Sequence, residues 1–526
     1  LEAVRQMNTA CLRGLGEYGV ILFRDYEVNK DPNSLILALE VFKAFNKYWL
    51  ASIRSPDETK VLGQYFHTAI RIYPYALLCA KTAYEDLGNV SYLEDYLNLT
   101  QGQRARILLN DLSNDESQGS EKWKNIQVLQ SEIRDLETKQ QYNPNGLNSQ
   151  ENQELLSKQE LLKELLIQWE VETADKSPNP TVTIAEIQAQ LEPKQAFLTI
   201  DVVNETYVGH LITESFVKFY PLGQKDSIDQ LIRHQHELLS ADFRSQQVDS
   251  LNQELHQICR VLYTLLFEPI QDALSYTEEL LLSPSGYFGS LSYTCLVTKD
   301  FRLETVVDWQ RSPLLVHEMM VSIIPSWPVY QTQQQLERPS YTQASIGSWA
   351  SKNLTATFRR LINAQNPKIS YTGGQCNSSS FLENSAPLDH IFLAVHAKAV
   401  SDELAGTYLL FGSGDRLKYN EISQLDLQAS LGVLAACETA QGQLVNYEGA
   451  YSMSRAFQQA GAQHVLSNLW SVPGRATEVL LSEFYNNLSQ GVEPKKALQK
   501  AQKDIIKGHF GLQYVFPGCW GGGVLN

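Results

Sequence analysis

The stretch Leu431-Gly-Val-Leu-Ala-Ala-Cys437-Glu-Thr-Ala-Gln-Gly442 decides how the rest of the chain is read. It begins as an apolar run of strand length, as suits a strand buried on both faces, and breaks at a cysteine followed by polar residues and glycine. Side chains at the carboxyl end of such a strand project into the crevice where open α/β sheets place their ligands. A second run, His390-Ile-Phe-Leu-Ala-Val-His396-Ala397, has the same character and ends on a histidine. The separation of 41 positions between His396 and Cys437 suits one crossover between adjacent parallel strands. Between them lie a turn at Gly412-Ser-Gly-Asp415 and a short helical stretch at Asn420–Leu425. The expectation is a thiol–imidazole pair facing one crevice. A thiol of ordinary pKa, about 8.5, is mostly neutral at pH 7, and a neighbouring imidazole can hold it as the reactive thiolate. The backbone N–H groups of Ala397 and Cys437 would serve an oxyanion. Each residue alone has a plainer reading: a cysteine after Val-Leu-Ala-Ala as a small buried hydrophobe, a strand-end histidine as a satisfied polar group.

Working outward, the chain from about 177 onward alternates strands with helices. Ile184–Leu191 reads as a helix before Pro193. Ala196–Val203, Thr206–Ile212 and Phe216–Tyr220 alternate like strands, with Asn204-Glu205 as a tight turn. Helices are expected near 227–241 and 247–272, then a strand at Glu279–Leu282. Helix Tyr341–Asn363, strand Lys368–Tyr371, helix Asn377–Glu383 and strand His390–His396 follow. Beyond Cys437 come helix Glu448–Ala460, strand Gln463–Trp470, helix Thr477–Leu488 and a last helix opened by Pro494, with a final strand in the glycine-rich tail. This order predicts a mostly parallel sheet with helices on both faces.

The N-terminal part is different. Leu35, Ala38, Leu39, Phe42 and Phe45 recur at helical spacing, as do Ala69, Ile70, Tyr73 and Leu77, the second set interrupted by Pro74, which should kink or divide it. Breakers at Asp31-Pro32-Asn33, Ser55-Pro56 and Gly88-Asn89 separate units of a size that suits stacked helix pairs of the tetratricopeptide kind, without that repeat's Trp-Leu-Gly-Tyr signature; the plainer reading is an irregular helical bundle. Trp123, Ile126, Leu129 and Ile133, then Leu155, Leu161, Leu165 and Trp169, form two apolar stripes either side of Asn143-Pro-Asn-Gly146, as in a helical hairpin. The expected divisions are therefore 1–115 (helical, tetratricopeptide-like), 116–176 (hairpin and linker), 177–335 and 336–526.

Composition narrows the function. A chain of 526 residues with 43% hydrophobic residues supports more than one domain. A net charge of −16 has the wrong sign for coating nucleic acid, so direct nucleic-acid binding is not expected. Seven scattered cysteines without CxxC or zinc spacing point to reduced thiols, a cytoplasmic setting and no metal or other cofactor. No apolar run reaches the roughly 18 residues a membrane span requires.

These residues carry a resemblance. His396, Leu434-Ala-Ala-Cys-Glu-Thr-Ala440, Tyr447-Glu-Gly449, Arg455-Ala-Phe457, Ala460-Gly-Ala462, Asn468-Leu-Trp470-Ser-Val472, Ala476-Thr477 and Phe484-Tyr485-Asn-Asn-Leu488 fall in the order and spacing of CHAT domains. These are caspase-like, separase-related domains often joined to tetratricopeptide repeats. The resemblance implies an α/β caspase-like sheet covered by helices on both faces, preceded by an all-α helical-repeat region. It implies His396 as general base and Cys437 as nucleophile of a cysteine endopeptidase, with 177–335 as a non-catalytic caspase-like half. In relatives active in bacterial defence, the helical region engages a protein or ribonucleoprotein activator that gates cleavage of a protein substrate. One departure is that many members have His-Gly where this chain has His396-Ala397. Asp402, Glu403 and Glu438 are candidates to line a substrate pocket, the first two by selecting a basic side chain. The alternative is a catalytically silent scaffold that binds partners through its helices.

Overall fold

Apolar runs without a polar face, such as His390–Ala394 and Leu431–Leu434, are strands only where both faces are covered, and both lie inside a six-stranded sheet. The computed structural model describes residues 9–52, 58–102, 147–173, 181–241, 248–335, 345–351, 362–398, 407–435, 442–445 and 449–526, with isolated positions between 104 and 136. Contacts divide the chain into two units, Leu1–Asn89 with Arg106–Thr181, and Val90–Ala105 with Val182–Asn526.

In the first unit, helices span Thr9–Asn29, Pro32–Ser52, Glu58–Leu87 and Ser149–Thr173. Leu35, Ala38, Leu39, Phe42 and Phe45 are all buried, so the helical spacing read from the sequence is the core face of its helix. Tyr73 packs edge-on against Phe45 and Trp49. Pro74 does not divide its helix: one helix runs through it from Glu58 to Leu87, because Tyr73, Ala76, Leu77 and Ala80 around it are buried together. In the hairpin region Leu129, Ile133, Leu147 and Leu155 share a small core, whereas Leu161 is exposed. Ser55-Pro56, Trp123 and Ile126 lie outside the described residues.

The second unit holds the α/β structure. Its first sheet has five strands: β1 (Gln195–Val203), β2 (Thr206–Thr213), β3 (Val217–Gln224), β4 (Glu279–Pro284) and β5 (Met320–Ile323), in the order β3-β2-β1-β4-β5. β1 to β3 form an antiparallel meander, and β1, β4 and β5 are parallel. The Asn204-Glu205 turn has positive φ at both residues, 48° and 58°, the backbone of a type I′ hairpin.

The second sheet contains β6 (Ile346–Ala350), β7 (Ile369–Thr372), β8 (His390–Ala394), β12 (Leu431–Leu434), β15 (His464–Asn468) and β16 (Gly523–Leu525). Their order is β16-β15-β12-β8-β6-β7, all parallel except β16. A small sheet, β11-β10-β9, is built from β9 (His396–Lys398), β10 (Tyr408–Leu410) and β11 (Arg416–Lys418), and β13 (Gly442–Val445) pairs with β14 (Gly449–Ser452).

Three expectations need correction. Part of the helix expected over Tyr341–Asn363 is instead β6, inserted between β7 and β8, and among the described residues of that span only 362 and 363, at its end, are helical. Pairing on both sides outweighs local preference there. A side chain at Gly347 would press on Leu388 Cδ1 and the Trp349 ring, so glycine lets these side chains pack closely over the strand. The helix expected from Glu448 begins at Met453, where the Ser452 hydroxyl caps it, after the β13–β14 hairpin. The parallel strand through His390 stops at Ala394, and His396 opens a different strand, β9.

One hydrophobic core runs through the second unit, from Leu198 and Leu282 of the first sheet to Phe392 and Val433 of the second, by way of Leu262, Trp470, Phe484 and Leu498. Each such side chain contributes about 1.5–3 kcal/mol of burial. Polar ties reinforce it. Lys495 Nζ lies 2.8 Å from Glu279 Oε1 at the start of β4, and Ser322 Oγ donates to the same oxygen at 2.8 Å. Gly461 ends its helix at φ 102°, where an added Cβ would sit 2.3 Å from the Leu427 carbonyl oxygen.

Candidate active site

β8 and β12 are neighbours in the sheet, and their parallel register pairs Leu393 with Leu434. The Ala435 N–H donates to the Leu393 carbonyl at 2.8 Å, so the two strands stay in step to their carboxyl ends. Beyond Ala394 the chain turns out of the sheet. Val395 remains buried, and His396 is exposed at the start of β9. There it stands opposite Leu410 of β10, with Ala397 opposite Leu409. His396 thus follows the tip of a central strand and is held by the pairing of β9 with β10.

Strand alternation sorts the small sheet into two faces. Leu409 and Leu417 point inward and are buried. His396, Lys398, Arg416 and Lys418 point outward and are exposed, with Tyr408 and Leu410 between them. Ala397 is not among the residues with positive φ, so alanine occupies this position without the left-handed conformation that would demand glycine.

Cys437, Glu438, Asp402 and Glu403 lie outside the described residues. By sequence, Cys437 is as many residues beyond Leu434 as His396 is beyond Leu393, the two residues that pair. Other thiols are tied into structure. Burial raises those of Cys79, Cys259, Cys376 and Cys519, the last to about 11, which makes them poor nucleophiles near neutral pH. Burial pushes four other histidines, His210, His256, His390 and His464, down to about 4. His390 Nε2 meets the Tyr485 hydroxyl at 2.9 Å. Trp470, a side chain a substrate could stack on, is instead buried and donates from Nε1 to the Gly518 carbonyl at 3.0 Å.

The matching end of the first sheet is occupied by a residue sequence reading did not single out. The Arg104 guanidinium, 5% exposed, lies where β4 ends beside Ile200 and Asp201 of β1. It donates to the Ile200 carbonyl at 2.6 Å and Ser283 Oγ at 2.8 Å, and also to the Ser283 carbonyl and the Asp201 carboxylate. Thr199 Oγ1 donates to the other Asp201 oxygen at 2.7 Å. The helix Ser91–Gln101 that leads to Arg104 is fixed alongside. Asn98 Oδ1 accepts the Val182 N–H at 2.7 Å, and Gln101 Oε1 accepts the Trp327 N–H at 2.9 Å.

Residues 256–522 match the CHAT domain family. Over 105 residues, 20% of the chain, the sequence is 31% identical to Tetratricopeptide repeat protein 28 of Homo sapiens, a match spanning 4% of that protein's length. The Mus musculus counterpart is 32% identical over the same length and share of each chain. Among solved structures, the fold is similar to that of separase in the Saccharomyces cerevisiae separase–securin complex. The TM-score is 0.52 at 11% sequence identity, covering 94% of this chain and 37% of that one. A likeness to the Arg-specific cysteine proteinase gingipain R, with a TM-score of 0.33, 8% identity and coverage of 57% and 74%, is too loose to carry an argument.

Proposed function

Because the chain belongs to the CHAT-domain family, with a caspase-like fold preceded by tetratricopeptide-like helices, we propose that it is a cysteine endopeptidase with His396 as general base and Cys437 as nucleophile. The observation that carries this reading is the in-step pairing of β8 with β12, from which His396 and Cys437 follow at equal intervals.

In the proposed reaction, the His396 imidazole takes the thiol proton and the Cys437 sulfur attacks the scissile carbonyl carbon. The negative charge that builds on the carbonyl oxygen is met by the backbone N–H groups of Ala397 and Cys437. The imidazolium then returns its proton to the leaving amine, and water, activated by the same imidazole, releases the acyl group. Asp402, Glu403 and Glu438 are proposed to line the approach to the thiol, the first two favouring a basic side chain. The substrate is a protein in a cytoplasmic setting, cut when a protein or ribonucleoprotein activator engages the helical region. No helix among the described residues is long and apolar enough to cross a membrane.

The test is Cys437→Ala. Incubated with proteins encoded beside it, the native chain is expected to yield discrete fragments and the variant none, with circular dichroism unchanged. Persistent cleavage by the variant would refute the assignment. Iodoacetamide should modify Cys437 faster than exposed Cys11 near neutral pH. Equal rates would move the reading to a protease-like scaffold that binds without turnover.

A further inference from the structure

We propose that the outward face of the β11-β10-β9 sheet binds an acidic stretch of the protein substrate, beside the residue proposed above as the general base. The inference rests on that reading for its placement, and on the following observations for its chemistry. Register sets two rows across the three strands: Lys398, Tyr408 and Lys418 in one, His396, Leu410 and Arg416 in the other. Residues directly opposite in an antiparallel pair share a face with Cβ atoms about 5 Å apart, so three cations surround one aromatic ring on a single surface. The Arg416 guanidinium lies 4.7 Å from the centroid of the Tyr408 ring, which holds its planar head at the surface.

None of Lys398, Arg416 and Lys418 makes an ion pair among the described residues. Two described acids beside Arg416 and Lys418 face hydroxyl and backbone groups. Asp415 Oδ2 faces the N–H and hydroxyl of Ser378 at 3.4 Å, and Glu421 Oε2 accepts the Lys418 backbone N–H at 2.6 Å at a helix start. In a protein of net charge −16 this face is a local reversal of sign, which concentrates and orients an anionic ligand.

An acidic peptide fits better than a nucleic acid. Alternate side chains of an extended peptide lie on one face about 7 Å apart, the interval between Arg416 and Lys418 or between His396 and Lys398. A peptide with acidic residues at alternate positions therefore meets this face in step, within a few residues of the bond presented to His396. A nucleic acid gains affinity from a long track of phosphate contacts, against which a charge of −16 acts unfavourably.

The experiment uses the full-length Cys437→Ala protein, in which binding proceeds without turnover. Fluorescence anisotropy is measured with a labelled peptide of alternating Glu and Gly, its Gln and Lys counterparts, and a single-stranded DNA oligonucleotide. The Glu peptide is expected to bind at least roughly tenfold more tightly than the Gln peptide at low salt, and the difference should shrink as salt rises. Lys398→Gln, Arg416→Gln and Lys418→Gln should each weaken it several-fold, and Arg416→Lys should retain part of the affinity. Equal binding of Glu and Gln peptides, indifference to all three substitutions, or displacement of the peptide by the oligonucleotide at lower concentration would each overturn the proposal. If acidic peptides bind as expected while the native chain cleaves nothing, this surface stands and the protease reading falls. If the native chain cleaves proteins without preference for acidic residues near the cut, only this surface falls.

Discussion

The two sheets finish their parallel strands in opposite ways. Where β4 ends beside β1, the chain's own Arg104 meets carbonyls, a hydroxyl and a carboxylate. Past β8, the backbone turns outward and sets His396 in solvent on a strand of its own. Parallel strands leave polar backbone groups at their carboxyl ends, and something must satisfy them. A guanidinium with five donors does so in the first sheet and makes that end structural. In the second sheet a short antiparallel sheet takes over the backbone and leaves a titratable side chain presented outward. The same topology therefore supports a lock in the first sheet and, under the proposed function, the general base in the second.

Removing the proposed general base should have the largest effect. His396→Ala is expected to lower kcat/KM for protein cleavage by roughly 10²–10⁴-fold without shifting the urea midpoint, as measured on any substrate found with the native chain. A rate within twofold of native would erase the functional contrast between the two sheets.

Removing the lock acts on stability. Arg104→Met strands the Asp201 carboxylate in a buried site, and about 3–5 kcal/mol of unfolding free energy should be lost in urea titration. Adding Asp201→Leu to Arg104→Met should return much of that loss. If the single variant unfolds at the native midpoint, the first sheet is not locked by Arg104.

Acid tests a property the sheets have in common. His210 on β2 and His390 on β8 are both buried, and each is held near 4 against an ordinary value of 6.5. Both are neutral in the fold and take up a proton only when the chain opens. Their contribution is complete above pH 6.5 and falls as pH drops from 6.5 toward 4, by about 1.4 kcal/mol per pH unit for each ring. His210→Phe should flatten the pH dependence of the urea midpoint over that window.

The smallest effects separate two tyrosines. Tyr207 Oη donates to Asp229 at 2.7 Å in the first half, and Tyr485 Oη meets His390 at 2.9 Å in the second. Tyr207→Phe should cost about 2 kcal/mol because its partner is charged, and Tyr485→Phe about 1 kcal/mol. Reversal of that order in thermal unfolding would mean that the imidazole is the more dependent partner.

Central strands were legible because burial on both faces leaves an unbroken apolar run, as in Leu431–Leu434. Helix positions in the first unit were legible through the spacing of Leu35, Leu39 and Phe42. β6 was not, since Ile346-Gly-Ser-Trp-Ala350 has no period of its own and only pairing with β7 and β8 makes it a strand. The outward turn at His396 was hidden for a similar reason: β9 has three residues, too few to show alternation. Arg104 was invisible because its partners Asp201 and Ser283 lie 97 and 179 positions away. The cationic face did leave a trace, the charged-apolar-charged alternation of Arg416-Leu-Lys418.

His210 has one more consequence. Neither ring nitrogen meets a hydrogen-bond partner among the described residues, and the ring lies edge-on to Tyr96 of the helix Ser91–Gln101. Lifting the helix from the sheet would remove the Tyr96 ring from that imidazole and change its surroundings. The nitrogen resonances of this single side chain are therefore a spectroscopic gauge of whether the helix is seated, readable without any added label on the surface.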